Sequence, residues 1–197
     1  MGKRVFDIIV AVIGLCLLSP LFMIIIALII VLDGGAPFFV QQRVGKGGRL
    51  FSLYKFRTMK SGLASGKHDF NAGETSRITP LGKILRRTKL DELPQLLNVL
   101  KGDMSLVGPR PEVKKWTLVY PEKWEVVHRV KPGITDNASI IFRHEEEMLA
   151  DTVSPEDTYR ETILPKKLEI YTDYVNSMSF SGDIKILLKT MKAVWTD

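Results

Sequence analysis

The side chains best suited to chemistry in this sequence are two adjacent carboxylates, Asp91 and Glu92, that directly follow a group of bases. The bases of that group are Lys83, Arg86, Arg87 and Lys89. A carboxylate can attack a phosphoryl group when cations offset the charge repulsion, so this arrangement indicates phosphoryl chemistry. Acidic pairs at helix starts are also common without any catalytic role. A basic cluster alone would fit a solvated or lipid-facing surface.

Prolines predict the elements that position this acidic pair. Thr79-Pro80 is typical of the N-cap and first position of a helix, and Pro94 predicts a second helix that starts just after the pair. The pair would then lie at a helix N-terminus, where partial positive charge stabilises a carboxylate or a phosphate. Downstream, two prolines flank Arg110 in a rigid turn over residues 108–111. An arginine held in this way is suited to bidentate contact with phosphate.

The N-terminal segment is apolar enough to enter a membrane. Residues 5–32 contain one charged side chain, Asp7, and runs of eighteen or more apolar residues are typical of lipid-buried segments. Ser19-Pro20 lies in the middle and predicts a kink or break, since proline removes one helical hydrogen bond. Each resulting arm has about twelve residues and a length of about 18 Å, against a hydrocarbon core of about 30 Å.

Basic residues on both sides of this segment indicate how it is oriented. Lys3 and Arg4 precede it, and several more bases follow it within residues 43–57. The positive-inside rule places both flanks in the cytoplasm, which a helix that enters, bends and returns can satisfy. We therefore predict a re-entrant membrane anchor over residues 1–35, with a single transmembrane span as the alternative. A signal peptide fits poorly, because the apolar run is too long and no cleavage site follows.

The remaining residues, 36–197, are enough for one cytoplasmic domain. The net charge of +6 indicates an anionic partner, and membrane attachment favours phospholipid or a phosphorylated substrate over nucleic acid. Cys16 is the only cysteine, so a disulfide within the chain is excluded. The three histidines lack the spacing of metal ligands.

Several stretches outside the acidic pair carry weaker predictions. The glycine-rich basic loop at residues 43–49 fits either a phosphate cradle or a hairpin turn. Residues 61–76 are predicted to form a mobile loop. Aromatic residues at four-residue spacing, Trp116, Tyr120 and Trp124, fit membrane head-group contact and ordinary packing equally well. Residues 183–195 predict an amphipathic interfacial helix, with an apolar face opposite its lysines.

The block at residues 89–112, KLDELPQLLNVLKGDMSLVGPRPE, resembles the bacterial sugar transferase family, the monotopic phosphoglycosyl transferases. The likeness covers nearly the whole chain. Its other elements are an N-terminal KRxFD string (Lys3, Arg4, Phe6, Asp7), the mid-membrane Ser19-Pro20, QxRVG ending at Gly45, KFRTM at 55–59, TPLGKxLRR at 79–87, KPGIT at 131–135 and SFxxDIKILLKT at 179–190.

The resemblance implies a mixed α/β, mostly helical fold: a re-entrant helix-break-helix anchor followed by a small cytoplasmic domain with amphipathic interfacial helices. It implies transfer of a sugar-1-phosphate from a UDP-sugar to polyprenyl (undecaprenyl) phosphate, with release of UMP. Asp91 would be the nucleophile of a covalent aspartyl intermediate, and Asp91 and Glu92 would bind Mg²⁺. The implied location is the bacterial inner membrane, in contact with anionic phospholipid and without a nucleic-acid partner.

Four arginines are the expected phosphate or substrate contacts, namely Arg86, Arg87, Arg110 and Arg143. The sequence departs from the family pattern after KPGIT, where Asp136, Ser139 and Arg143 replace the usual glycine and glutamine context. Residues 144–165 are also longer than in short members. These departures leave the sugar and the oligomeric state without a prediction. The runner-up function is a non-enzymatic membrane-anchored module that binds anionic lipid.

Overall fold

The computed structural model describes residues 2–60 and 77–195, so the loop predicted at residues 61–76 lies outside the described residues. The chain opens with helix α1, Gly2–Leu28, which continues into a π-helical turn, Ile29–Asp33. Pro20 lies inside α1 and cannot donate to the carbonyl of Cys16, but Ser19 Oγ donates to that carbonyl at 2.8 Å. The predicted break at Ser19-Pro20 is not confirmed: the helical assignment continues through Pro20.

Helix α1 is apolar on nearly all sides. Residues Gly2–Asp33 have a mean hydropathy of 3.1 in their most apolar 18-residue window, of which 11% is buried, and are long enough to cross a membrane. Large apolar side chains project from the outer face at exposures of 38–78%. They are Val5, Ile8, Ile9, Val12, Ile13, Leu17, Met23, Ile24, Leu28, Ile30, Val31 and Leu32. A helix of this kind is compatible with a membrane anchor.

Both ends of the apolar segment are joined to the rest of the chain. Near its start, Arg4 Nη1 donates to the carbonyl of Val99 at 2.6 Å. Near its end, Thr79 Oγ1 donates to Asp33 Oδ2 at 2.8 Å. Buried residues along the helix, Ala11 and Ile25 among them, pack into clusters with the following domain.

An antiparallel hairpin follows the apolar segment. Strand β1, Phe38–Val44, pairs with β2, Leu50–Phe56, in a register that joins Phe38 to Phe56 and Val44 to Leu50. A 3-10 turn, Lys46–Gly48, connects them, and Gly47 and Gly48 have φ values of 66° and 74° that favour glycine. The glycine-rich loop is thus a hairpin turn.

The next elements surround the acidic pair. Helix α2 is Pro80–Arg87, a 3-10 turn is Leu90–Glu92, and helix α3 is Gln95–Lys101. Thr79 Oγ1 accepts a hydrogen bond from the N–H of Gly82 at 2.9 Å, which confirms the predicted N-cap.

Strands β3, Ser105–Val107, and β4, Gly133–Thr135, form a parallel pair. The loops beside them approach so closely that a Cβ on Gly133 would lie 2.1 Å from the nitrogen of Gly108. This contact requires glycine and brings the GPRP and KPGIT segments together.

The second half of the chain is helical. Its helices are α4 Lys114–Thr117, α5 Pro121–Val127, α6 Asn137–Ile141, α7 Glu145–Ala150, α8 Pro155–Thr158, α9 Leu164–Ser177 and α10 Phe180–Trp195, with a π-helical turn at Tyr159–Ile163. Trp116 and Trp124 are each 2% exposed and belong to the core formed by these helices. The sequence left membrane head-group contact and ordinary packing open for these tryptophans, and the structure shows packing.

Helix α10 packs on the domain through one face and exposes another. Among the side chains of α10 that the structure describes, Asp183 and Ile186 are buried, whereas Leu188 and Met191 are 60% and 61% exposed beside the lysines. Asp183 can be buried because Lys3 Nζ lies 2.5 Å from its carboxylate and the Tyr174 hydroxyl donates to it at 2.8 Å. The exposed face of α10 therefore mixes apolar and basic side chains.

Candidate active site

Asp91 and Glu92 lie on the 3-10 turn between α2 and α3 and are 6% and 9% exposed. The turn follows Lys89, which has φ of 57° and is the only non-glycine residue with a left-handed backbone among residues 2–60 and 77–195. This conformation reverses the chain after α2 and directs both carboxylates inward. Left-handed lysine is strained, and such strain is often retained at functional sites.

Glu92 is held by two bases from distant parts of the sequence. Arg110 Nη1 donates to Glu92 Oε2 at 3.1 Å, and Arg110 Nη2 donates to Oε1, giving a bidentate pair. Lys55 Nζ donates to Oε1 at 2.8 Å. Burial alone would raise the pKa of Glu92, but the charges and hydrogen bonds of Arg110 and Lys55 hold it well below its usual range. Glu92 is therefore a carboxylate, and its charge raises the pKa of Arg110.

Asp91 has a different environment. Its Oδ2 lies 4.0 Å from Lys55 Nζ, while its Oδ1 is buried and has no hydrogen-bond partner among the described residues. Burial raises the pKa of Asp91, and the negative charge of Glu92 adds to this; Lys55 and Arg86 act in the opposite direction. A buried oxygen without a donor is costly, so it is available to a ligand or a reacting atom.

The other predicted arginines occupy three different positions. Arg86 Nε donates to Thr58 Oγ1 at 2.9 Å, and its Nη1 contacts both carboxylate oxygens of Glu146 at 2.9 and 3.0 Å. Arg87 is exposed at the end of α2. Arg143 is half-buried just after α6.

Of the four predicted arginines, the structure brings Arg110 directly onto the acidic pair and Arg86 beside it. The carboxylate of Glu92 is held by Arg110 and Lys55.

Two features of the site differ from the sequence expectations. Within residues 2–60 and 77–195, no backbone N–H donates to either carboxylate, so side chains rather than a helix N-terminus hold the pair. Lys55, the second partner of Glu92, was not predicted as a site residue although it belongs to the KFRTM string. Lys55 lies in strand β2 between the buried residues Leu53 and Phe56, so the strand holds it in a fixed position. The predicted strand was the one sequence feature that could have indicated this.

The expected Mg²⁺ can be tested against these atoms. Magnesium binds oxygen and is often held by one or two carboxylates together with substrate phosphates and water. The unpartnered Oδ1 of Asp91 suits this role, whereas both oxygens of Glu92 already accept from Arg110 or Lys55. The part of the chain that the structure describes contains no cluster of three or more metal-ligating side chains. The residues fit an ion that the substrate helps to hold.

Comparison with known proteins places these residues in a defined family. The family model described as "Bacterial sugar transferase" matches residues 1–197. A Bacillus subtilis protein, "Uncharacterized sugar transferase EpsL", is 42% identical over 192 residues, which cover 98% of this chain and 86% of that protein.

Two longer relatives have names that state a reaction. The "UDP-N-acetylgalactosamine-undecaprenyl-phosphate N-acetylgalactosaminephosphotransferase" of Aeromonas hydrophila is 36% identical over 199 residues, covering 98% of this chain and 44% of that protein. The "Undecaprenyl-phosphate galactose phosphotransferase" of Salmonella typhimurium is 38% identical over 209 residues, covering 98% and 40%. The chain spans less than half of these two proteins.

Proposed function

The chain belongs to the bacterial sugar transferase family, and from that premise we propose that it moves a sugar-1-phosphate from a UDP-sugar to undecaprenyl phosphate with release of UMP. The names of the longer relatives support this reaction class. The observation that carries the proposal is the buried carboxylate of Asp91: its Oδ1 has no partner among residues 2–60 and 77–195, whereas both oxygens of the adjacent Glu92 are paired. The product would serve as the first membrane-bound intermediate of a glycoconjugate.

Asp91 is the proposed nucleophile. Its oxygen attacks the phosphorus that bears the sugar, the bond from that phosphorus to the UMP oxygen breaks, and UMP leaves with the bonding electrons. An oxygen of undecaprenyl phosphate then attacks the same phosphorus, and the Asp91 carboxylate leaves. The lipid diphosphosugar forms and the enzyme is restored.

The surrounding side chains support this chemistry through charge and position. Arg110 and Lys55 hold Glu92, which leaves Asp91 as the carboxylate with an unpaired oxygen. Arg110 has further N–H groups beyond the two that contact Glu92, and Arg86 supplies a second guanidinium near Asp91. Mg²⁺, which Asp91 would hold together with the substrate phosphates, would offset phosphate charge when bound.

The same proposal includes a re-entrant, monotopic anchor in the cytoplasmic membrane. Arg4 at one end of the apolar segment and Asp33 at the other both contact the domain that carries Asp91. A helix that left the domain and crossed the bilayer would separate one of these ends from it. The exposed apolar face of α1 is then the lipid contact, and the mixed face of α10 lies near it because Phe6 and Phe180 pack edge to face at 5.2 Å.

Topology is tested by cysteine labelling in a Cys16→Ser background. Single cysteines at Gly2 and Gly35 should both react only with reagent that reaches the cytoplasm. If one position reacts from the outside, the chain crosses the membrane and the re-entrant proposal fails.

The reaction is tested by UMP release from a panel of UDP-N-acetylgalactosamine, UDP-galactose and UDP-glucose with undecaprenyl phosphate. Release from at least one sugar nucleotide, dependent on the lipid phosphate, is expected. Chelation with EDTA should abolish turnover, and added magnesium should restore it. Lipid binding without UMP release from any UDP-sugar would instead favour a non-enzymatic membrane module.

A further inference from the structure

The loop that carries Arg110 is fixed on both sides. The N–H of Gly133 donates to the carbonyl of Pro109 at 3.0 Å, and Arg43 Nη1 donates to the carbonyl of Pro111 at 3.2 Å. The two prolines also restrict their own φ angles. The direction of the Arg110 side chain therefore depends on whether these anchors stay in place.

Arg43 is itself held by a buried carboxylate, Glu112, which is 6% exposed. Arg43 Nη1 lies 3.2 Å from Glu112 Oε2, and the N–H of Val44 donates to the carbonyl of Glu112 at 2.9 Å. The other carboxylate oxygen, Oε1, accepts the hydroxyl hydrogen of Tyr159 at 2.6 Å. A buried carboxylate is tolerated when its oxygens have donors, and here both oxygens do.

Tyr159 belongs to the long 144–165 stretch, to which the sequence assigned no role. It begins the π-helical turn Tyr159–Ile163, and such turns are frequent at functional sites. Its ring packs against Trp116 with centroids 4.8 Å apart, and Lys167 Nζ lies 5.1 Å from the ring centroid. The ring is 1% exposed and held by these neighbours, so its hydroxyl is directed at Glu112.

We propose that Tyr159, acting through Glu112 and Arg43, is a positioning residue for Arg110 and thereby for Glu92. The chain of contacts runs from the helical core through Glu112 and Arg43 to the carbonyl of Pro111. The inference rests on the proposed function, because Arg110 matters to turnover only if Glu92 and Asp91 lie at the reacting centre. Tyr159 takes no part in a chemical step, since it donates its one hydroxyl hydrogen to Glu112.

The first test is Tyr159→Phe in the full-length protein, with UMP release measured for whichever sugar nucleotide of the panel the wild type uses. The loss of one hydrogen bond to a charged group should lower kcat about tenfold. The KM for the UDP-sugar should change by less than about twofold, because the variant leaves ground-state binding groups in place. A wild-type kcat in Tyr159→Phe would overturn the proposal.

Tyr171→Phe is the matched control. Tyr171 is also 1% exposed, but its hydroxyl has no hydrogen-bond partner among the described residues. The same chemical change should therefore leave kcat at the wild-type value. An equal loss of activity in both variants, in step with a lower thermal midpoint, would assign Tyr159 a purely structural role and contradict positioning.

A double-mutant cycle tests the route through Arg110. If Tyr159 acts through that guanidinium, Tyr159→Phe should have little further effect in an Arg110→Lys background. Additive losses would overturn the route.

A second readout needs no turnover: the ¹⁵N NMR signals of the Arg110 guanidinium, assigned by their loss in Arg110→Lys. Slowly exchanging Nη protons are expected in the wild type and in Tyr171→Phe, with faster exchange in Tyr159→Phe. Unchanged exchange in Tyr159→Phe would contradict positioning even if no UDP-sugar were turned over, whereas absent turnover with the expected exchange would count against the proposed function alone.

Discussion

Two buried aspartates, Asp7 and Asp91, differ in how many of their carboxylate oxygens have hydrogen-bond partners. Asp7, in the first turns of α1, is 3% exposed; its Oδ2 accepts from Ser105 Oγ at 2.8 Å and its Oδ1 from the N–H of Leu106 at 3.3 Å. Asp91 is 6% exposed, but its Oδ1 has no donor among the described residues and its Oδ2 is 4.0 Å from Lys55 Nζ. One carboxylate is completely paired, and the other keeps an oxygen unpaired.

Under the proposed function, this difference separates a structural carboxylate, Asp7, from the nucleophile, Asp91. Asp7 joins the anchor helix to strand β3, together with Arg4, which caps the carbonyls of Val99 and Leu100 at the end of α3. Its hydrogen bonds stabilise the docked helix. The unpaired oxygen of Asp91 costs stability and is available for chemistry, as expected where a site is built for a substrate rather than for the fold.

Among the variants that test this comparison, Asp91→Asn is expected to have the largest effect on activity. Loss of the nucleophile should lower the rate of UMP release by at least about a thousandfold, with no covalent phosphosugar adduct on the protein. Mass spectrometry of the protein after incubation with the UDP-sugar alone provides the measurement. Substantial residual turnover in this variant would rule out a nucleophilic Asp91.

The same substitution should not destabilise the protein at neutral pH. Burial raises the pKa of Asp91, so its folded form binds a proton more readily than the unfolded chain. Its contribution to stability is therefore present below the unfolded pKa and is lost as pH rises through the folded value. The neutral amide of asparagine removes the cost of burying the charged form, and thermal unfolding of Asp91→Asn at pH 7 should occur at an equal or higher temperature.

Arg110→Lys is expected to have the next largest effect. Lysine keeps the charge but cannot make the bidentate pair that Arg110 forms with Glu92. Loss of one hydrogen bond between charged groups should lower kcat/KM by about 10- to 100-fold. Steady-state UMP release measures this. Near-normal kinetics would show that the planar fork is not required, and that a point charge suffices to hold Glu92.

Asp7→Asn should change stability rather than chemistry. Asparagine has one acceptor oxygen where Asp7 uses two, so either Ser105 or the N–H of Leu106 loses its partner, at a cost of about 1–3 kcal/mol. Asp173→Asn, on the exposed side of α9, is the control and should stay within about 0.5 kcal/mol. Thermal unfolding in lipid nanodiscs measures both. A thousandfold loss of kcat in folded Asp7→Asn protein would remove the distinction between the two aspartates.

The parts of the fold that follow local rules could be predicted from the sequence. The N-cap at Thr79 depends on neighbouring residues, and so does the hairpin turn at Gly47 and Gly48. The long apolar N-terminal helix was evident from composition alone. The break at Pro20 is not confirmed: the helical assignment continues through the proline, and Ser19 Oγ donates to the carbonyl of Cys16.

The pairings inside the site depend on contacts across long stretches of sequence, which no local pattern contains. Glu92 meets Arg110 and Lys55 across separations of 18 and 37 residues. The sequence predicted a phosphate contact for Arg110 and gave no sign of its bidentate pair with Glu92. The burial of Asp183 in α10 has a similar cause, because its partner Lys3 lies 180 residues away.

The smallest expected effect concerns the backbone conformation near each aspartate, which differs between Asp7 and Asp91. Asp7 lies in an ordinary helix, whereas Asp91 follows Lys89 with its φ of 57°. Glycine adopts this conformation without strain, so Lys89→Gly should raise the free energy of unfolding by about 0.5–1 kcal/mol. Lys83→Gly, within α2, should lower it by about 1 kcal/mol because glycine is a poor helix former. The same lysine-to-glycine substitution at two positions of one short segment would then change the free energy of unfolding in opposite directions.

Turnover should fall in Lys89→Gly, since the charge of Lys89 favours the carboxylate form of Asp91. Loss of stability in Lys89→Gly would show that the Lys89 side chain supports the fold. The backbone before Asp91 would then be no more strained than the helix that carries Asp7.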